Sequence, residues 1–238
     1  MNNNSLFAEL MNKDPSFKIR INFDNKCSEI GFLTGFGFSA LIYSYSTRDY
    51  LLFDTGGNGK ILIHNINQFK INIVLIKKVI ISHNHHDHTG GLFDIYNANK
   101  NIEVYVPFND LNSFRKAFSG LLVHGVLGMT EIEDNIFSSG QFTGSFISEH
   151  CLILRLKNNE LILLVGCSHP GLEKFILKAR ELGSIKGIIG GFHGFQNLSY
   201  LEGTEFIGAC HCTQHIELIK QKFPKAFYKV CVGTTLIF

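Results

Sequence analysis

No two cysteines in this 238-residue sequence are spaced C-x-x-C, although six are present, at positions 27, 151, 167, 210, 212 and 231. That spacing argues against a zinc ribbon. Charge of one sign is also missing: the formal net charge is +2, and the largest basic clusters are Lys77-Lys78 and Lys220 to Lys222. Such a balance lacks the concentrated basic face of a nucleic-acid binder, so no nucleic-acid partner is expected. Long apolar runs are absent too. INIVLIKKVIIS is interrupted by two lysines and ELILLVGC is too short to span a bilayer, so both read as buried strands and no membrane partner is expected. The start, MNNNSLFAELMNKD, has no basic stretch followed by an apolar one, so no signal peptide is read. A cytoplasmic location and reduced thiols follow as expectations, with Cys27, Cys151 and Cys231 serving as small packing residues.

Repeats, low-complexity tracts and Pro/Ser-rich linkers are also missing, which makes one domain over residues 1–238 the simplest organisation. Within it, residues 107–140 read as a less regular insert between two halves. What is present is an alternation of strand and helix signals. FKIRINF, SALIYSYS and YLLFD read as strands, and KILIHNINQF is periodic like a helix. The segment ending at Ser82 is again a strand, and NDLNSFRKAF reads as a helix. CLILRLK and ELILLVG flank Asn158-Asn159, a two-residue hairpin signal. Pro170-Gly171 opens a helix whose Leu172, Phe175, Ile176 and Ala179 form one stripe. KGIIGG, FYKVCV and TLIF read as strands, with a helix over TQHIELIKQKF between them. Strands interleaved with helices imply sheets covered by helices, an α/β sandwich.

The chemistry concentrates in SHNHHDHTGG, residues 82–91, directly after an apolar strand. His83 and His85 are two apart, so an extended segment sends both to one side, where they can share an ion. Asp87 and His88 follow where Thr89-Gly90-Gly91 signals a bend into a helix, and can hold a second ion nearby. Imidazole and carboxylate suit zinc, manganese, iron or cobalt. Two adjacent ions can clamp a phosphoryl or carbonyl oxygen and activate water against it.

HxHxDH after an apolar strand resembles the metallo-β-lactamase fold superfamily. More narrowly, the chain is similar to a metal-dependent hydrolase subgroup that includes an archaeal dihydropterin ribofuranosylaminobenzene phosphate synthase. The matching pieces are GFSALI (37–42), FDTGGN (53–58), SHNHHDHTGGL (82–92), VGCSHPGLEKFI (165–176), IGGFH (189–193), HCT (211–213) and a terminal VGTTLIF. The resemblance implies an αββα sandwich of two mixed β-sheets flanked by helices, with the site at the sheet edge where strand-end loops meet. It implies two divalent ions, zinc first, with manganese or iron as the other candidates. His83 and His85 would hold one ion; Asp87, His88 and His211 would hold the other. The superfamily's His-x-x-Gly-His segment is missing. At GCSH, His169 is the ligand candidate and Cys167, whose thiolate a nearby dication would favour, is the alternative. His150 competes as a further ligand.

Asp54 resembles an early aspartate that orients site residues without binding metal. Asp87 and His193 are the candidate catalytic residues. His193 and His86, the latter where the subgroup usually carries tyrosine, are the candidate substrate-binding residues. Gly190-Gly191 would let the backbone approach a ligand closely. Cys210 and Cys212 flank His211 and should point away from it if that segment is extended.

Three functions fit. The first is hydrolysis of an anionic phosphorylated or ester small molecule. The second is transfer of a dihydropterin-methyl group with pyrophosphate release. The third is a non-catalytic metal binder or sensor on the same fold. The LLFDTGG stretch also satisfies the aspartic-protease signature, but that chemistry needs two carboxylates and no second D-[ST]-G occurs. GCSHPG misses the G-x-S-x-G elbow because Pro170 stands at its fifth position.

Overall fold

The computed structural model describes residues 14–238; the reading of the opening residues as carrying no leader falls mostly on 1–13 and lies outside them. Fifteen strands and six α-helices are formed among the described residues. The first half runs β1 (Phe17–Phe23), β2 (Ser39–Ser44), β3 (Tyr50–Phe53), α1 (Gly59–Gln68), β4 (Ile76–Ile80), α2 (His86–Thr89), α3 (Leu92–Ala98) and β5 (Glu103–Pro107). Next come α4 (Leu111–Ala117), β6 (Leu122–Val126), β7 (Thr130–Glu133), β8 (Ile136–Ser138), β9 (Phe142–Gly144), β10 (Ile147–Glu149), β11 (Leu152–Arg155) and β12 (Leu161–Val165). The chain closes with α5 (Leu172–Arg180), β13 (Ile185–Gly191), β14 (Phe206–Cys210), α6 (Ile216–Lys222) and β15 (Thr235–Ile237).

Two mixed sheets result. One has the order β15-β1-β2-β3-β4-β5-β6 and the other β14-β13-β12-β11-β8-β7, with β9 and β10 pairing as a separate hairpin. Residues 107–140 hold α4 and contribute β6 to one sheet edge and β7 and β8 to the other. Three apolar clusters define the layers. Ile19, Ile21 and Ile42 meet Leu152, Leu154 and Ile162 between the sheets. Leu52, Val79 and Ile81 pack outward on Leu62, Ile66 and Leu92 of the first helical layer. Ile153, Leu163 and Val165 pack on Leu172, Phe175, Ile176 and Ala179 of the second. The α5 stripe legible in the sequence is thus the face that docks, and the layers read α-β-β-α.

The hairpin between β11 and β12 turns at Asn158-Asn159, where Asn159 takes a φ of 64°, a conformation asparagine tolerates. FYKVCV departs from expectation: it forms no strand. Among the described residues it makes only two isolated bridges, Ile207 with Phe227 and Ser28 with Val232. Its end is instead tied to the turn after β1, with Cys231 disulfide-bonded to Cys27 and the Val232 N–H donating to the Cys27 carbonyl. This corrects the expectation that Cys27 and Cys231 are reduced packing residues; Cys151 does pack as one, fully buried.

The parallel run β3-β4-β5-β6 and the parallel run β12-β13-β14 both point their carboxyl ends toward one edge. Asp54, the 81–88 segment, GCSH, His193 and His211 all follow the carboxyl ends of these strands. That edge is where an α/β sheet collects ligand-facing loops.

Candidate metal centre

His83, His85 and His169 form one group whose ligand-capable atoms all lie within 4.8 Å of one another; Asp87, His88, Cys167 and His211 form a second. The groups abut through His83 and His88, whose ring centroids are 4.2 Å apart. His169 and Cys167, alternatives in the sequence, therefore fall into different groups. His169 sits 4.8 Å from both the His83 and His85 rings, while the Cys167 Sγ lies 3.2 Å from the His88 Nε2.

The hydrogen bonds fix which nitrogen each ring presents. Asp54 is fully buried and accepts from the Ser82 N–H, the Ser82 hydroxyl and the His88 Nδ1–H, each at 2.7 Å. Because Ser82 spends its one proton on Asp54, the His83 Nδ1 must donate to the Ser82 Oγ, 2.9 Å away. Both rings then turn their Nε2 inward. The His83 Nε2 lies 3.0 Å from the His85 Nδ1, a spacing at which both nitrogens can serve one cation. On the far side, the His211 Nδ1 donates to the Asn25 Oδ1 at 2.9 Å, and the His211 N–H donates to Asp24 at 2.8 Å. The Nε2 atoms of His169 and His211 are buried without a hydrogen-bond partner. One of these nitrogens sits among imidazoles and the other beside a carboxylate and a thiol, donor sets that suit a divalent ion.

The GCSH loop is held by a residue the sequence reading missed. Glu149, wholly buried at the end of β10, accepts the N–H groups of Cys167 and Ser168 at 2.8 Å and of His169 at 2.7 Å. Asp24 and Asn25 were missed as well. The signal for the last two was Asp24-Asn25 directly after strand FKIRINF, the same strand-end pattern as Asp54-Thr55 after YLLF; nothing local marked Glu149. Four non-glycine site residues take positive φ: Asp54 (56°), Ser168 (60°), His193 (43°) and His211 (48°). Such conformations persist where surrounding contacts over-determine them, as at binding centres.

Charge follows the same frame. Burial pushes the Asp87 carboxyl up, but the His211 imidazole, whose Nε2 lies 3.3 Å from the Asp87 Oδ2, and the His88 charge outweigh it and bring it down to about 2. Burial, then the neighbouring imidazoles, lower His83 well below its ordinary value and bring His169 to about 4. Burial also opposes charge on His88, but the Asp54 carboxylate overrides it and raises that residue. Burial lifts Glu149 to about 6.

His150 is outside both groups. Its Nε2 donates to the Ile81 carbonyl at 2.9 Å, and its Nδ1 accepts from Ser138 at 2.6 Å, so no lone pair is left for an ion. The two candidate substrate-facing residues are exposed on different sides of the centre. His86 lines a cavity of about 380 Å³ with Asp87, Phe36 and Ile61. His193 lines one of about 340 Å³ with His169, and its ring lies 5.0 Å from that of His169.

Two expectations need correcting. A Cβ on Gly190 would come within 1.9 Å of the Val165 carbonyl oxygen, and one on Gly191 within 2.3 Å of the Gly166 oxygen. The glycines therefore admit the neighbouring strand end, not a ligand. Cys212 does not point away from the centre: the positive φ at His211 breaks the extended course and brings the Cys212 Sγ to 3.9 Å from the Cys167 carbonyl oxygen.

A family model described as the metallo-beta-lactamase superfamily matches residues 34–181. The chain is 25% identical over 209 residues, 67% of its length and 70% of the relative's, to 7,8-dihydropterin-6-methyl-4-(beta-D-ribofuranosyl)-aminobenzene-5'-phosphate synthase of Methanocaldococcus jannaschii. It is 29% identical over 252 residues to an uncharacterized protein of the same organism, covering 85% of this chain and 93% of that one. Among solved structures, the fold protein YhfI from Bacillus subtilis is similar with a TM-score of 0.66 and 16% identity, covering 94% of this chain and 100% of that chain.

Proposed function

The chain belongs to the metallo-beta-lactamase superfamily, and from that premise we propose that it is a metal-dependent hydrolase with a dinuclear centre, acting on an anionic phosphorylated or ester small molecule. His83, His85 and His169 are assigned to one ion, and Asp87, His88 and His211 to the other, with Cys167 within reach of the second. The observation that carries this reading is the pair of abutting donor groups, with the inward nitrogens of His169 and His211 left unpartnered. Bound there, two divalent ions would supply Lewis acidity toward a phosphoryl or carbonyl oxygen and make water more acidic; zinc is the first choice, manganese or iron the others.

The chain's own groups complete the chemistry. The Asp87 Oδ2 lies 3.3 Å from the His211 Nε2 and 3.6 Å from the His88 Nε2, so that oxygen faces the second group. Its other oxygen can accept a proton from water. His193, exposed beside His169 and within the second cavity, can hold a substrate anion or protonate the leaving oxygen. His86, on the other side of Asp87, contacts the rest of the substrate.

A second reading is favoured by the identity to the dihydropterin synthase: transfer of a dihydropterin-methyl group with pyrophosphate release at the same ions. Elemental analysis of protein purified without added metal, followed by a screen of phosphodiesters against a dihydropterin pyrophosphate, tests both. Hydrolysis of phosphodiesters supports the first reading, and consumption of the pyrophosphate ester with an aminobenzene acceptor supports the second. Bound ions with neither turnover assign the chain as a metal binder or sensor. A small-molecule partner and a cytoplasmic location belong to the same proposal; among the described residues no helix is long and apolar enough to cross a membrane.

A further inference from the structure

Four cysteines lie outside the Cys27–Cys231 bridge. Cys151 and Cys210 are sealed in the apolar interior, at 0% and 2% exposure. Cys167 and Cys212 are placed differently. They follow the ends of β12 and β14, and both lie against Gly191. The Cys212 Sγ lies 3.9 Å from the Cys167 carbonyl oxygen and remains partly exposed. Gly191 leaves the space in which they meet, since a Cβ there would lie 2.6 Å from the Cys212 Sγ and 3.3 Å from the Cys167 Cα. On its other side, the Cys167 Sγ is 3.2 Å from the His88 Nε2 and belongs to the donor group of Asp87, His88 and His211. The His211 Nε2, 1% exposed as a residue and without a hydrogen bond, faces that same group 3.3 Å from the Asp87 Oδ2.

We propose that Cys167 and Cys212 are a metal-gated dithiol: Cys167 serves as a thiolate ligand of the second ion when that ion is bound, and pairs with Cys212 in a disulfide when it is not. This rests on the reading that the Asp87 group holds an ion. The oxidant is of the peroxide class. The partly exposed Cys212 sulfur attacks one peroxide oxygen, the O–O bond breaks, and one water leaves, giving a sulfenic acid. The Cys167 sulfur then attacks the Cys212 sulfur, the S–O bond breaks, and a second water carries away the Cys167 proton. Two thiols lose two electrons in all and one peroxide gains them. With Cys167 engaged by the ion, its sulfur lone pairs are occupied and the second step is suppressed. Once the bridge forms, the second group has lost one of its four donors.

The test compares chelator-stripped with zinc-reloaded protein, each treated briefly with hydrogen peroxide, alkylated, and mapped as non-reduced peptides by mass spectrometry. Stripped protein is expected to yield a Cys167–Cys212 linked peptide about 2 Da lighter than the two free peptides together. It should then take up about one zinc ion fewer until a thiol reductant is added. Zinc-loaded protein should show little linked peptide, and Cys212→Ser should give none while keeping its zinc uptake after peroxide. Stripped protein that keeps its native circular dichroism yet forms no linked peptide overturns the proposal, as does linkage at an unchanged rate with zinc bound. Untreated protein that takes up only the first ion overturns the site reading beneath it, and the elemental analysis separates that case from failure of the dithiol alone.

Discussion

The Nδ1–H of His88 donates to the Oδ2 of Asp54 across 2.7 Å, with both side chains fully buried. The same carboxylate takes both donors of Ser82, and Ser82 in turn orients His83. One aspartate that belongs to neither donor group therefore sets the ring orientation in both.

Asp54→Asn tests that relationship. Asparagine keeps the shape but offers one acceptor oxygen and turns an amine toward donors, so at least one of the three hydrogen bonds is lost. Affinity for zinc, read by competition with a chromophoric chelator, should fall about 10–100-fold. Unchanged affinity would show that packing alone holds His83 and His88.

The histidines should separate by role. His83→Ala and His211→Ala each remove a ligand, so elemental analysis should find about one ion fewer per chain, and turnover should be lost. His193→Ala should keep both ions and lower kcat about 10²–10⁴-fold if it works as a proton donor. Normal metal content in both ligand variants would end the assignment of those two residues.

Much of this centre was legible because it is local. His83, His85, Asp87 and His88 fall within six residues, and the apolar strand before them fixes where they stand. GCSH and HCT were legible only through their resemblance to known motifs. Asp54 apart, the residues that hold the ligands were not legible, because their partners lie far away in sequence. Asn25 orients His211 across 186 positions, and Glu149 reaches a loop 18 to 20 residues ahead. No periodicity records such a pairing. The bridge between Cys27 and Cys231, 204 residues apart, was hidden for the same reason. The failure of FYKVCV as a strand is similar: its β-rich composition is real, but the neighbouring chain pairs with it only at Phe227 and Val232.

Glu149→Gln probes the hidden support of the GCSH loop. Three backbone N–H groups converge on two carboxylate oxygens, and glutamine supplies a single oxygen. Each N–H left unpaired in the interior costs about 1–3 kcal/mol. Denaturant unfolding should therefore show a loss in that range or above, together with weaker metal binding through His169. A variant as stable as the parent would mean that the loop is held by its own turn, where the Gly171 N–H donates to the Ser168 carbonyl.

Protonation of His150 should make the fold acid-sensitive without touching the metal ligands. Burial brings this residue down from 6.5 to about 4, and it sits wholly inside, between Ser138 and the Ile81 carbonyl. Between those two values the unfolded chain binds a proton that the folded chain refuses, so stability falls as pH drops from about 6.5 to about 4. The full effect is on the order of 3 kcal/mol. Glu149 acts in the opposite sense over a narrower window. Its folded value of about 6 lies above the ordinary 4.5, so it favours the folded state at the acid end and loses that contribution as pH rises through 6. Chelator-treated wild type and His150→Gln should be unfolded in urea at steps across this range. The wild-type curve should lose stability toward pH 4 more steeply than the variant, and parallel curves would show that His150 accepts its proton in the folded protein as readily as in the unfolded chain.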